Sequence, residues 1–265
     1  MPDTSGTAIG AALGAFGGIT LAEMDSVKLL NRIDTKFLTN ETSLALVLED
    51  AAKAGYRALL VEGQKISPYH SIYYDTAGLD MYLAHHNRRA VRQKVRTREY
   101  MLSGEAWLEI KLKNNKGRTR KKRTRIPAAQ MQDFSKDVPA CEYLEKYSRY
   151  SRQQLKLVLS TDFRRITLVN PAKTERLTID TALTFTNFRT GKKASLRDAV
   201  IIELKQEGHS ASTMKSILLQ RRVKPVRLSK YCIAETLTDP ACKSGRFRVK
   251  VRTIEKTINK HLTVI

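Results

Sequence analysis

Four cations stand at every second position in Arg92-Gln93-Lys94-Val95-Arg96-Thr97-Arg98. On a β-strand, successive side chains point to opposite faces, so Arg92, Lys94, Arg96 and Arg98 form one row. Such a row repels itself unless something strongly anionic lies along it, and the chemistry it offers is the gripping of a polyanion. Leu108 to Lys113 alternates in the same way, with Glu109, Lys111 and Lys113 opposite Leu108, Ile110 and Leu112. Further on, Arg176, Thr178 and Asp180 alternate with Leu177 and Ile179, and Glu203 and Lys205 alternate with Val200, Ile202 and Leu204. The charged faces are mostly cationic and hold a sparse set of acids, Glu109, Asp180 and Glu203. Carboxylates of that kind among phosphate-binding cations suit a divalent ion.

For these side chains to converge, strands must carry them and helices must cover the strands' other faces. Arg32, Asp34 and Lys36 share one face of a first strand over 32–38. Further strands are expected at 71–75, 88–101, 106–113, 118–126, 155–169, 176–180, 183–188 and 200–205. Asn114-Asn115-Lys116-Gly117 turns a hairpin, and Pro127 ends a strand. Apolar spacing predicts helices over 24–32, 42–55, 128–134, 142–154 and 212–222, with a short helix or turn at 79–85. An ordinary antiparallel sheet also alternates, with its charged face in water. A surface face, however, intermixes signs to relieve repulsion. The pattern therefore predicts an α+β fold: about eight antiparallel strands forming a β-barrel tunnel lined by Arg and Lys, with helices packed on the apolar outside.

The chain has 265 residues, 42% of them apolar, which is enough for a proper core in one large domain. Its formal charge of +22 favours nucleic acid, polyphosphate, nucleotides or an anionic membrane surface as partners. Cys141, Cys232 and Cys242 lack metal-type spacing and read as free thiols in a reducing, cytoplasmic setting. No apolar run reaches the length of a membrane-spanning helix. Residues 1–21, rich in Gly and Ala, read as a flexible leader, 22–240 as the domain, and 241–265 as a basic, loosely attached tail with helix near its end. Walker A and GxGxxG loops are absent, as is any Ser/His/Asp or Cys/His arrangement. The cations are not interleaved with exposed aromatics, which argues against a specific nucleic-acid platform. His85-His86 reads as a surface turn, and Trp107 as a packing residue or a base-stacking one near a tunnel mouth.

The phrases Asn31-Arg32-Ile33-Asp34-Thr35-Lys36-Phe37, Tyr74-Asp75-Thr76, Lys94-Val95-Arg96-Thr97-Arg98, Leu108-Glu109-Ile110-Lys111, Ile202-Glu203-Leu204-Lys205 and Ser229-Lys230-Tyr231 follow one another over about residues 22 to 235. In that order they resemble the VTC domain, the catalytic domain of the vacuolar transporter chaperone polyphosphate polymerases, within the triphosphate tunnel metalloenzyme superfamily. The resemblance implies a tunnel that binds ATP and inorganic polyphosphate together with Mn2+ or Mg2+. It implies catalytic cations at Lys36, Arg96, Arg98, Lys111 and Lys230. Further substrate-binding cations would be Arg32, Lys94, Lys113, Arg164, Arg176 and, from the Lys121-Lys122-Arg123 cluster, Lys122. The metal would sit on Glu203, with Glu109 and Asp180 in support. Asp34, on the strand face of Lys36, reads as a residue that orients this lysine rather than as a metal ligand. Superfamily triphosphatases begin with an ExExK strand, and here the positions read Arg32, Asp34 and Lys36. The lost carboxylate favours the polymerase branch. The eukaryotic polymerases also carry an inositol-phosphate-sensing domain and membrane helices, which these residues do not include; a membrane-associated partner protein would have to supply their roles. The expected function is transfer of the γ-phosphate of ATP to a growing polyphosphate chain. A tunnel tri- or polyphosphatase and a non-catalytic polyphosphate-binding module are the alternatives.

Overall fold

A computed structural model describes residues 8–25, 32–208 and 211–264 of the chain. Helix α1 (Ala8–Gly14), strand β1 (Gly18–Ile19) and helix α2 (Leu21–Asp25) lead to β2 (Arg32–Asn40) and α3 (Glu41–Lys53). Next come β3 (Arg57–Leu59), β4 (Ser67–Asp75) and α4 (Asp80–His86), then β5 (Arg92–Tyr100), β6 (Glu105–Lys113) and β7 (Thr119–Ile126). Helix α5 (Val138–Tyr147) precedes the long strands β8 (Lys156–Val169) and β9 (Glu175–Asn187), followed by β10 (Lys193–Ser195) and β11 (Ala199–Glu207). Helices α6 (Thr213–Gln220), α7 (Lys230–Thr238) and α8 (Gly245–Ile258) complete the order.

The main path of the sheet is β2-β11-β9-β8-β4-β5-β6-β7, antiparallel at every step. This is the α+β antiparallel architecture the alternation predicts. Strand pairing alone does not complete the tunnel wall, because the path ends at β2 on one side and β7 on the other. The outer edge of β2 is taken by the segment before α7: the Val226 amide donates to the Lys36 carbonyl at 2.7 Å, and Pro225 bridges to Phe37. Three residues further on, Ser229 meets Lys94 of β5, and Lys230 reaches Asp180 of β9. One short segment can touch β2, β5 and β9 only if the sheet curls around it.

Period-2 patterning explains why the sheet curls with charge inward. Outward-facing Phe37, Leu177, Ile179, Ile202 and Leu204 pack under α1, α3 and α6 through Leu13, Leu44, Leu48, Met214 and Leu218. Leu108, Ile110, Val95 and Tyr74 pack against Leu144 of α5 and Phe134. Each fully buried Leu or Phe contributes about 1.5–3 kcal/mol. Caps stop the helices from competing with the strands: Asn40 accepts from the Ser43 amide, Asp137 from Ala140, and Ser212 from Lys215.

Several local readings are corrected. Helix α5 starts at Val138 rather than 142, because Asp137 caps it and Pro139 is tolerated in a first turn, and it ends at Tyr147. Only Ala128–Gln130 of the expected 128–134 helix is helical, as a single 3-10 turn. The strands expected at 176–180 and 183–188 are one strand, β9, interrupted by a register shift opposite Asp162/Arg164, with Ala182 at φ 50°. Most of the helix expected over 24–32 lies outside the described residues. The described parts of the leader, from Ala8 on, and of the tail, through α8, pack onto the fold. Ile9, Leu13 and Phe16 join the core beneath α3, and β1 pairs in parallel with β3. Ile254 and Ile258 of α8 are buried beside α7. Among the described residues, no helix is long and apolar enough to cross a membrane.

If both ends are built into the core, Phe16→Ala should cost about 3–5 kcal/mol and Ile254→Ala about 2–5 kcal/mol in urea unfolding. Midpoints unchanged from the wild type would restore the flexible reading.

Candidate functional site: a cation-lined tunnel

The inner face collects its side chains by register. Across β2, β11 and β9, Lys36 faces Glu203, Glu203 faces Thr178, and Lys205 faces Arg176. Across β5, β6 and β7, Arg96 faces Glu109, Lys94 faces Lys111, and Lys111 faces Lys121. Helix α7 then inserts its first residue, Lys230, from the concave side.

Three carboxylates pin this face, and each is held by two cations. Glu203 is bonded by Lys36 and, at 2.8 Å, by Lys205. Glu109, fully buried, accepts from Arg96 Nε at 2.8 Å and is paired with Lys121. Asp180 receives Arg165 in a bidentate fork at 2.6 and 2.8 Å, together with Lys230. Burial alone would raise all three carboxyl groups. The paired cations override it and hold them far below the usual carboxylate range.

Arg98 and Lys111 have no such carboxylate partner among the described residues. Arg98 is 5% exposed; its Nε donates to Ser71 Oγ at 2.9 Å, and its guanidinium lies over Tyr69 and Phe163. Burial and the charges of Arg96 and Arg165 push its pKa down, against the opposing charge of Glu109. The charge of Arg96, with burial and Arg98, pushes the Lys111 ammonium well below its ordinary value. Buried cations at this disadvantage are stabilised by a bound anion. Burial also brings Lys230 down to about 7 and Lys121 to about 8, despite their carboxylates.

The structure brings Lys36, Arg96, Arg98, Lys111 and Lys230 onto this face, with Lys94 held by Ser229 Oγ at 2.8 Å and Arg176 in register with Lys205. Lys113 lies at the end of β6 and lines the adjoining cavity. Arg32 opens β2, and its side chain lies outside the described residues. Two expectations miss by one residue. Arg164 shares its register with Pro68 and Thr181 on the other face, and Arg165 meets Asp180 instead. Lys122 pairs in register with outward-facing Ile110 and lies over Tyr147, while Lys121 takes the inward place. Lys205, Arg165, Lys121 and Tyr73, whose hydroxyl accepts from Arg96 at 3.1 Å, are site residues that sequence reasoning left out. The Glu-x-Lys spacing of Glu203 and Lys205 was the available signal for one of them. His85-His86 is no surface turn: His86 is buried, and His85 Nδ1 lies 3.2 Å from Cys232 Sγ. Trp107 is covered by Arg123, 4.2 Å from its ring. All three cysteines are free.

The expected metal set of Glu203, Glu109 and Asp180 does not assemble. No three acidic, histidine or cysteine groups converge among the described residues, and each of the three acids is engaged by two cations. Mn2+ or Mg2+ needs several oxygen donors at one point. These residues alone do not form a resident metal centre.

The VTC domain family model matches residues 31–238, which contain every strand from β2 to β11 and all of α7. The chain belongs to the VTC domain family. Among solved structures, a candidate adenylate cyclase from Bacillus halodurans is 14% identical, with a TM-score of 0.48 over 82% of this chain and 99% of its own. A candidate adenylyl cyclase from Hippeastrum with a dominant triphosphatase activity is 14% identical, with a TM-score of 0.47 over 77% and 95%. A candidate adenylate cyclase from Vibrio parahaemolyticus is 11% identical, with a TM-score of 0.45 over 77% and 97%. A search of curated proteins finds no match. Within the VTC domain, the Ser-Lys-Tyr phrase acquires a physical meaning. Ser229 caps α7, Lys230 enters the tunnel, and Tyr231 donates to buried Asp75 at 2.7 Å.

Removing one member of a buried ion cluster leaves the others uncompensated, so Asp180→Asn should destabilise the free protein by about 3–5 kcal/mol. Added tripolyphosphate should restore much of the lost melting temperature; equal ligand shifts in variant and wild type would contradict this. Because Lys230 is protonated below about 7, tripolyphosphate affinity should rise as pH falls through that value. Lys230→Arg, charged throughout, should flatten the difference. Matching pH profiles for the two proteins, read by calorimetry, would argue against Lys230 as the titrating group.

Proposed function

We propose that this VTC domain is an ATP-dependent polyphosphate polymerase. The observation that supports the reading best is that buried Arg98 and half-buried Lys111 lack a carboxylate among the described residues, on a face where Glu109, Asp180 and Glu203 are each already doubly paired. Such a face is short of negative charge along a line rather than at a point, which suits a chain of phosphates.

In this reading the triphosphate of ATP lies along β5 and β6. Arg96 and Arg98 offer planar donor forks to phosphate oxygens, and Lys111 offers a movable point charge. Lys36, Lys205 and Lys230 transfer part of their attention from carboxylate to phosphate. A terminal oxygen of the growing chain attacks the γ-phosphorus in line, the bond to the β,γ-bridging oxygen breaks, and ADP leaves with that oxygen. The chain is longer by one phosphate, and no protein nucleophile is consumed. Phosphoryl transfer of this kind depends on positioning and charge neutralisation, which the inward cations supply. Mn2+ or Mg2+ is taken to arrive as the nucleotide's own counter-ion. The hydrolase alternative needs a group to position water, and the buried tunnel carboxylates are all engaged by cations.

Purified protein should convert ATP, with Mn2+ and a short primer, to long polyphosphate and ADP, resolved on a gel. Arg98→Ala should lower kcat/KM by about 100-fold or more, the scale expected for losing one donor to a charged transition state. Free phosphate as the sole product would make the protein a hydrolase. Tight polyphosphate binding without turnover would leave a binding module.

A further inference from the structure

A second feature lies beside the tunnel and uses residues that the family match does not reach. A cavity of about 960 Å³ opens along the edge of β2, floored by Asp34, Thr35 and Lys36 and by the segment Pro225 to Ser229. Its remaining walls are α4 with the turn after it, the ends of β5 and β6, and α8. Besides Lys36, six cations line the cavity: Arg88, Arg92, Lys113, Arg227, Arg246 and Lys250. Among the described residues, Asp34 is the one carboxylate in the lining. None of the six forms a salt bridge with a carboxylate among the described residues. The contrast with the tunnel is direct, since there each buried acid engages two cations.

Two residues connect the spaces. Lys36 lines the cavity and bonds Glu203 within the tunnel, and Ser229 lines the cavity and bonds Lys94. Phe247 of α8 also faces the cavity, but its ring is engaged edge-on by His85 and His86. It is therefore occupied and is not a free platform for a nucleobase. His85 is held neutral, its pKa lowered to about 3 by burial and by Lys94, Arg92 and Lys113, which marks how positive this region is. Volume, absence of carboxylate partners and continuity with the tunnel describe a site for an extended inorganic polyanion.

We propose that this cavity binds the stretch of a polyphosphate chain that lies beyond the triphosphate in the tunnel, with α8 supplying its outer wall through Arg246 and Lys250. The proposal rests on the polyphosphate reading above. It adds that the helix after residue 238 distinguishes long chains from short ones. Each phosphate neutralised releases counter-ion, so the cavity should add to the salt dependence of binding as well as to affinity.

The test compares long-chain polyphosphate, tripolyphosphate and ATP on the full-length protein at several salt concentrations. The variants are Arg246→Ala/Lys250→Ala and, as a charge-matched surface control, Lys192→Ala/Lys193→Ala. Circular dichroism melts establish that each is folded. In the cavity variant, long-chain affinity should fall about tenfold near physiological salt, and the log–log salt slope should become shallower by about 1.4. Tripolyphosphate and ATP should stay within about twofold, and the control should match wild type. Equal losses for all three ligands would place the cavity in the triphosphate or nucleotide site and overturn the proposal. An equal loss of long-chain binding in the control would reduce the effect to net charge and overturn it too. Wild-type protein that binds tripolyphosphate but shows no preference for long chains would defeat this inference alone. Protein that binds none of the ligands would defeat the underlying polyphosphate reading as well.

Discussion

Enclosing many like charges on the concave side of one sheet is the constraint on which the rest of this molecule turns. Two unit charges 4 Å apart interact by about 4 kcal/mol at the effective dielectric of a protein surface, and by more where water is excluded. Glu109, Asp180 and Glu203 answer that repulsion from three different strands, each between two cations. Their spacing spreads neutralisation along the tunnel and leaves Arg98 and Lys111 uncompensated between them. The free protein is thus held together by carboxylates at some positions and left electrostatically strained at others.

Helix α7 shows how closely fold and site are coupled. Ser229 Oγ accepts from the Cys232 amide as a helix cap and from Lys94 of β5 as a tunnel partner. Tyr231 donates to Asp75, whose carboxylate also accepts from the amides of Thr76, Met81 and Tyr82 at the start of α4. The orientation of Lys230 therefore depends on a buried network that ties β4, α4 and α7 together. A change at Asp75 would reach the tunnel through this helix, without any contact with phosphate.

Most of the strands could be read from the sequence, because alternation of charge and apolarity survives burial of both faces. The limits of that reading lie where parity breaks. The extra residue near Ala182 shifts β9 against β8, so which arginine meets Asp180 depends on pairing between strands, and a run of consecutive cations such as Lys121-Lys122-Arg123 shows no apolar alternation to fix its parity. The ends misled for another reason. The described part of the Gly- and Ala-rich start buries Ile9, Leu13, Phe16 and Ile19, and α8 hides Ile254 and Ile258 among cations. A few well-placed apolar groups suffice when a helix needs only a narrow stripe. Pairing of each acid with two cations was also invisible, since it is a property of neighbouring strands and not of any one of them.

The chemistry of the cations bears on how an extended substrate could move. The arginines here are held by fixed geometry: Arg96 by Glu109 and Tyr73, Arg98 by Ser71, Arg165 by Asp180. The lysines reach their carboxylates through flexible stems, and Lys230 and Lys121 are poised near neutrality. Rigid forks suit the phosphates whose positions must be set for in-line attack. If the proposed polymerase reading holds, mobile ammonium groups suit phosphates that are released and regripped as a chain advances, because Lys36, Lys121, Lys205 and Lys230 each have a carboxylate to return to. In that reading the acids would be resting places for these lysines between phosphates. A tunnel wall that alternates fixed and movable cations can then hold a polymer firmly at one phosphate while letting the remainder slide.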